Sequence, residues 1–293
     1  MGDCIYLEQN KTDSIGFQVS ELAKITEKLK SGSESIKIDL KNVSFLNPTI
    51  ILGISSLLFM YRKKGVNCEL ISVSPELQKY LNTIKFPQGI FPALEGDWDS
   101  ILDSYSGKNY LPIINFPSDN LNDNAVIRDA VLSKVSKIIA GRLNLLEINF
   151  GALNYFITEF TQNIVEHANV LNGRILVQFY PVKEYIEICI IDEGKTILGS
   201  YRDNKQFDIL NDKDAIKAAL GGNSTKSPER GFGLYTSSRI IIEAMKGKLC
   251  VVSGTGMLVN TTVISYQSTW NGTLLSIKIP MNMEKINIYD FIS

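Results

Sequence analysis

Along the first hundred residues the apolar positions switch between a period near 3.6 and a period of 2, the spacings of a helix face and of a half-buried strand. Cys4-Ile-Tyr-Leu predicts a short strand, and Phe17 to Lys30 a helix with Val19, Leu22, Ile25 and Leu29 on one face. Ser31-Gly-Ser breaks that helix, and Ile36-Lys-Ile-Asp-Leu alternates as a strand does. Pro48 stands where a first helical turn tolerates proline, so a second helix runs from there to about Lys64 and stops at Gly65. Val66 to Val73 predicts the next strand. Ser74-Pro75-Glu76 opens a third helix with Leu77, Tyr80, Leu81 and Ile84 inward. Strands alternating with helices predict an α/β layer.

From residue 86 to 109 the pattern lapses. Pro87, Gly89, Pro92, Gly96 and Gly107 punctuate a stretch that reads equally as a linker or as an ordered connector packing its aromatics. Periodicity then resumes in a different order. A strand is expected over Tyr110 to Phe116, helices over Asn122 to Arg142 and Glu147 to Ala168, and strands over Arg174 to Tyr180 and Tyr185 to Ile191. The stretch between Gly194 and Gly233 shows little periodicity and is expected to be a long loop or lid. A helix over Gly233 to Met245 follows, then strands over Lys248 to Ser253, Thr261 to Gln267 and Thr273 to Pro280, the last two joined as a hairpin across Trp270-Asn271-Gly272. The second half is therefore expected to be α+β, with its helices on one face of a mixed sheet.

Length and composition narrow this further. At 293 residues, with 44% hydrophobic and 21% charged residues, the chain suits about two globular domains. Thirty basic residues against 31 acidic ones leave a net charge of −1, which argues against nucleic acid as a partner. Cys4, Cys68, Cys189 and Cys250 form no CxxC pair, and His167 is the single histidine, so zinc-hydrolase and multi-histidine iron chemistry are nearly excluded. The N-terminus lacks a signal-peptide pattern, and Tyr6 replaces the Ser or Thr of a myristoylation signal. The longest apolar run, Thr49 to Tyr61, falls short of the ~20 residues of a membrane span. A reducing cytoplasm and no membrane partner are the expectation.

Four features can carry chemistry. In the helix beginning at Glu147, Glu159, Asn163 and His167 recur every four residues and line one face with a drift of ~40° per step. Asn163 is a poor helix former without a cap to make. Its carboxamide oxygen suits a hard cation, and the Glu159 carboxylate one turn earlier can orient a water. A solvated polar face with a hydrogen-bonded histidine is the plainer alternative. Second, the apolar strand Ile188-Cys-Ile-Ile ends in Asp192-Glu-Gly194. A carboxylate there can accept from an exocyclic amine such as adenine's, and Gly194 lets backbone approach a flat ring, although an ordinary turn fits too. Third, Arg230-Gly231-Phe232-Gly233-Leu234 leads into a helix, and exposed N–H groups at that end suit phosphate. Upstream, Gly221-Gly-Asn-Ser224-Thr225-Lys226 adds hydroxyls and a cation, as a lid over a triphosphate would. The third glycine of the dinucleotide fingerprint and a Walker Gly-Lys-Ser/Thr are both missing. Fourth, Thr273 can support the aspartate through its hydroxyl.

In order and spacing, these features together resemble the GHKL, or Bergerat-fold, ATP-binding domain over about residues 110 to 280. Glu159-xxx-Asn163 is similar to its asparagine box, Asp192-x-Gly194 to its first glycine box and Gly231-x-Gly233 to its second, with Thr273 at the late threonine. The continuation to His167 looks most like anti-sigma-factor serine kinases. The resemblance implies ATP and Mg²⁺ as cofactors, Asn163 as the metal ligand, Glu159 as general base or water-orienting group, Asp192 on the adenine amine, and Gly231 and Gly233 shaping the phosphate loop. Thr196 stands where the family's first glycine box has its second glycine.

The N-terminal part resembles a STAS domain. Ile36 through Pro48 is similar to its central strand and the loop before its switch helix, and Val66 to Phe86 to its next strand and last helix. Where phosphorylated antagonists carry Asp-Ser, this chain carries Asn47 and Pro48, with Thr49 adjacent but out of register. The module therefore reads as an interaction or scaffold unit.

The organisation expected is thus a STAS-like α/β domain with its linker over 1–105 and a GHKL-type domain over 106–293. The function expected is an Mg-ATP-binding regulatory protein, either hydrolysing ATP or phosphorylating Ser/Thr, with a regulatory protein partner and a homodimer left open. A non-catalytic ATP-dependent switch and an interaction adaptor are the competing readings.

Overall fold

A computed structural model of the chain describes residues 3–9, 14–32, 34–121, 123–143, 147–203, 208–222 and 233–291. Strands β1 (Asp3–Tyr6), β2 (Ser35–Asp39) and β3 (Asn67–Ile71) make a parallel sheet in the order β1-β2-β3. Helices α1 (Ile15–Lys30) and α2 (Pro48–Arg62) connect successive strands, and α3 (Pro75–Thr83) follows β3. The alternation in β2 does what it predicts: Ile36 and Ile38 are buried while Lys37 is exposed. Pro48 opens α2 at its first turn, and the Ser74 hydroxyl accepts the Leu77 N–H to cap α3.

Residues 86–109 are an ordered connector. Ile90, Leu102 and Tyr105 are buried, α4 (Trp98–Asp103) forms within it, and Ile90 bridges Ile114. Lys134 pairs with Asp99 and Asp103 at 3.1 and 2.6 Å, tying α4 to α5 (Asn124–Leu143).

The second sheet runs β4 (Ile114–Pro117), β5 (Asn172–Tyr180), β6 (Tyr185–Ile191), β8 (Thr262–Pro280), β7 (Lys248–Val259). Its pairings are all antiparallel, so the mixed sheet expected from the sequence is corrected. Short turns join β5 to β6 and β7 to β8, which makes those pairs antiparallel, and the helical connections from β4 to β5 and from β6 to β7 also leave every neighbouring pair antiparallel. The hairpin expected at Trp270-Asn271-Gly272 is also corrected. The turn lies at Asn260 and Thr261, with Asn260 at φ 54°, and β8 continues through residues 270–272. Trp270 is 2% exposed and pairs with Gly254, so burial of the indole overrides the Asn-Gly turn signal.

The long loop expected between Gly194 and Gly233 contains α7 (Ile197–Asp203) and α8 (Asp212–Leu220). Asn211 caps α8 by accepting the Asp214 N–H, and Ala215 and Ile216 face inward. Asp212 holds the helix start to β7 by accepting from the Thr255 N–H and hydroxyl, each at 2.9 Å.

Helices α5, α6 (Glu147–Asn163) and α9 (Gly233–Arg239) cover one face of the five-stranded sheet, packing on Ile175, Val177, Ile188, Ile190, Val251 and Ile277. The opposite face is covered by α1, α2 and α3. Leu176, Cys189, Ile191, Val252 and Leu274 share one core with Val19, Leu22, Ile51 and Ile54. From Thr49 to Leu58, α2 is buried all round, as befits a helix lying between two sheets. The molecule is a four-layer stack of helices, sheet, helices and sheet.

Candidate functional site

Helix α6 supplies the first wall of a cavity on the α5/α6/α9 side of the sheet. Its apolar face, with Phe156, Ile157 and Phe160 buried, shares a core with the strands. After Asn163 the helix widens into a π-helical turn, Ile164–Ala168, which ends at Asn169 in the left-handed region (φ 56°). Such wide turns concentrate at functional sites. Asn163 and His167 both line the cavity. His167 Nε2 lies 3.8 Å from the Glu166 carboxylate, which also accepts from Gln162 at 2.9 Å.

Asp192 extends β6 and lines the same cavity. It is 3% exposed, and its carboxylate is held by two backbone amides: Oδ1 accepts the Gly194 N–H at 2.8 Å and Oδ2 the Thr273 N–H at 3.2 Å. Burial pushes its pKa up to about 7 against the opposing pull of those amides. Thr273 therefore supports the aspartate mainly through its backbone, with its hydroxyl a smaller contribution.

Gly194 is not part of the cavity wall. A Cβ there would lie 2.0 Å from the Ala168 carbonyl oxygen, which accepts the Lys195 N–H at 2.8 Å. The approach to a flat ring expected of this glycine is thus replaced by an approach to the end of the α6 π turn. Thr196 has its own explanation: its hydroxyl accepts the Gly199 N–H at 3.1 Å and so caps α7.

Gly233 and Leu234, at the start of α9, close the cavity from a third side. Glu159 does not line it. Its carboxylate lies against Gly233, where a Cβ would stand 2.4 Å from Glu159 Oε2 and 3.7 Å from Asn163 Nδ2. Ser224, Thr225, Lys226, Arg230, Gly231 and Phe232 lie outside the described residues. Asn163, His167, Asp192, Gly233, Leu234 and Thr273 thus meet around one cavity floored by Phe160, Ile164, Val251 and Leu275. The sequence reading misses Lys195, Ser200, Tyr201 and Ala219, which also line it. Lys195 was visible beside Gly194. The other three sit on α7 and α8, where the cap residues Thr196 and Asn211 were the available signal.

Among the described residues, no three His, Cys, Asp or Glu side chains converge as a metal site, and no helix is long and apolar enough to cross a membrane. All four cysteines are free thiols.

The three-stranded parallel sheet with its helices on one face accounts for the other half of the stack, and the family model for the STAS domain matches residues 18–96. This segment is a STAS domain. The match stops short of every residue of the cavity. No curated protein and no solved structure matches the chain.

The STAS domain meets the five-stranded sheet through α2. Asn47 and Thr49, at its start, are 4% and 0% exposed. The Thr49 hydroxyl donates to Glu187 Oε1 at 2.9 Å and lies 2.7 Å from Ser276 Oγ. Lys278 Nζ reaches the fully buried Glu187 at 3.4 Å. Further along the seam Thr26 donates to Ser268 at 2.8 Å and the Tyr80 hydroxyl to Gln178 at 2.5 Å. Glu187 and Ser276 face the STAS domain, whereas Ile188 and Leu275 face the cavity side. Thr49 is therefore separated from the cavity by the thickness of the sheet.

Proposed function

We propose that the chain binds an adenine nucleotide with Mg²⁺ in the cavity between α6, the end of β6 and the start of α9, as a GHKL-type ATP-binding domain joined to a STAS domain. The observation that carries this is the meeting of Asn163, Asp192 and Gly233 around one cavity, three residues spread over 70 positions of sequence. Asp192 offers a carboxylate at an apolar wall, oriented by two amides, which is what recognition of an exocyclic amine requires. The side-chain-free start of α9 at Gly233 lets the Glu159 carboxylate pack against it, with Asn163 close by.

The donor set suits Mg²⁺ bound through phosphates. That ion keeps several waters and needs only one or two protein oxygens, and Asn163 supplies one hard oxygen. Bound there, Mg²⁺ would neutralise phosphate charge. Glu159, one turn before Asn163 and against Gly233, is the group for activating a water or a protein hydroxyl. Thr49 is not that hydroxyl in this arrangement, because it lies buried on the opposite face of the sheet.

A non-catalytic switch is the second reading. It is favoured by the absence of Glu159 from the cavity wall and by the STAS domain's direct seat on the same sheet. In either case a regulatory protein partner would read the nucleotide state.

Calorimetric titration of the full chain with Mg-ATP tests the proposal. Saturable binding that Asp192→Asn weakens supports it, and identical weak heats from both proteins refute it. Phosphate release that Glu159→Gln abolishes while binding persists separates turnover from the switch.

A further inference from the structure

The end of β6 is held from both sides of the sheet. Asp192 turns into the cavity, and Glu193, the next residue, turns to the STAS domain. Glu193 Oε1 accepts the Ser56 hydroxyl at 2.6 Å and lies 3.2 Å from Arg174 Nη2. Arg174, on β5, donates through Nη1 to Ser55 Oγ at 3.2 Å, and its guanidinium sits 4.1 Å from the centre of the Phe59 ring. The Ser55 hydroxyl donates to the Pro87 carbonyl at 2.6 Å. Ser55, Ser56 and Phe59 all belong to α2.

These contacts are built to be rigid. The Arg174 side chain is 8% exposed and that of Glu193 21%, so their charge-assisted contacts are little screened by water. Burial lowers the Arg174 pKa while Glu193 raises it, as expected of a pair that needs its partner. On the cavity side the same loop is pinned by the Gly194 N–H on Asp192 Oδ1 and the Lys195 N–H on Ala168. A shift of Glu193 would therefore move the peptide that aims the Asp192 carboxylate.

We propose that Ser56 and Arg174 are positioning residues for the cavity: by fixing Glu193 from the STAS domain they fix Asp192, so that α2 and nucleotide binding are thermodynamically coupled. Neither side chain lines the cavity. The inference rests on the nucleotide reading above, and coupling of this kind is reciprocal, so nucleotide would also steady the α2 contact.

The test uses the full chain, Mg-ATP as probe, and Ser56→Ala, with Glu193→Gln as a second variant that keeps the side-chain shape. Both are expected to bind Mg-ATP about fivefold or more weakly than wild type. In nucleotide-free protein both should speed hydrogen exchange at the Gly194 and Lys195 amides while the interior amides of β5 and β6 stay protected. Unchanged exchange at those two amides overturns the proposal, as does unchanged affinity. If wild type itself does not bind Mg-ATP, the nucleotide reading fails, and the exchange comparison alone still decides whether α2 positions the Asp192 loop.

Discussion

The carboxylate of Glu159 occupies the space that a side chain at Gly233 would need, since a Cβ there would stand 2.4 Å from Oε2. Gly233→Ala is therefore expected to push the Glu159 carboxylate aside. If Glu159 activates the attacking group, turnover should fall about 100-fold, the lower range for loss of a general base, with nucleotide affinity changed much less. Steady-state phosphate release alongside calorimetry checks this. A loss of affinity as large as the loss of rate would show that Gly233 serves binding alone.

Asp192 makes stability depend on pH in a defined direction. Its folded pKa of about 7 lies above the ordinary 3.8, so between those values the native state holds a proton that the unfolded chain has lost. Its contribution is full below about pH 4 and declines as pH rises through 7, by about 4 kcal/mol in all at 1.36 kcal/mol per unit. Denaturant titrations from pH 4.5 to 8 should show this slope in wild type and a flatter profile in Asp192→Asn. A parallel pair of profiles would assign the slope elsewhere.

Nucleotide binding should run the opposite way. An amine donates to the ionised carboxylate, so Mg-ATP affinity is expected to rise between pH 6 and 8 in wild type and to stay level in Asp192→Asn. Titrations at three pH values in that interval suffice, and an affinity that falls toward pH 8 would count against an amine at Asp192.

The seam between the STAS domain and the five-stranded sheet hangs on a fully buried carboxylate. Lys278→Met would leave Glu187 with its cationic partner gone, at an expected cost of about 3–5 kcal/mol. Thr49→Val removes only one hydrogen bond to the same group and should cost about 1–3 kcal/mol. Chemical denaturation gives both values, and equal small losses would mean that water reaches Glu187.

Thr196 is expected to act on α7 alone. Removing its cap with Thr196→Ala should cost about 1 kcal/mol and speed hydrogen exchange in residues 197–203 without touching β6.

Much of this architecture was legible in the chain, and the exceptions share a cause. Ile36-Lys-Ile-Asp-Leu and the Ser74-Pro75 start announce their elements because one face of each is wet and the periodicity survives. Of the Glu159–Asn163–His167 spacing, Asn163 and His167 line the cavity while Glu159 does not. Trp270-Asn-Gly272 read as a turn because the Asn-Gly signal is local, whereas the burial that keeps it in β8 comes from the distant STAS core. Helices α7 and α8 were hidden because each is short and gives only two buried positions, too few to set a period. The seam itself left almost no trace: Glu187 and Lys278 look like solvent residues of exposed strand faces until the STAS domain is laid over them.

Because Leu176, Cys189, Ile191, Val252 and Leu274 finish a core begun by α1 and α2, the boundary between the two sheets is not a place where the polypeptide can be cut. Either fragment, produced by itself, would present a greasy flank studded with stranded charges to water, and aggregation rather than a stable module is the outcome to expect.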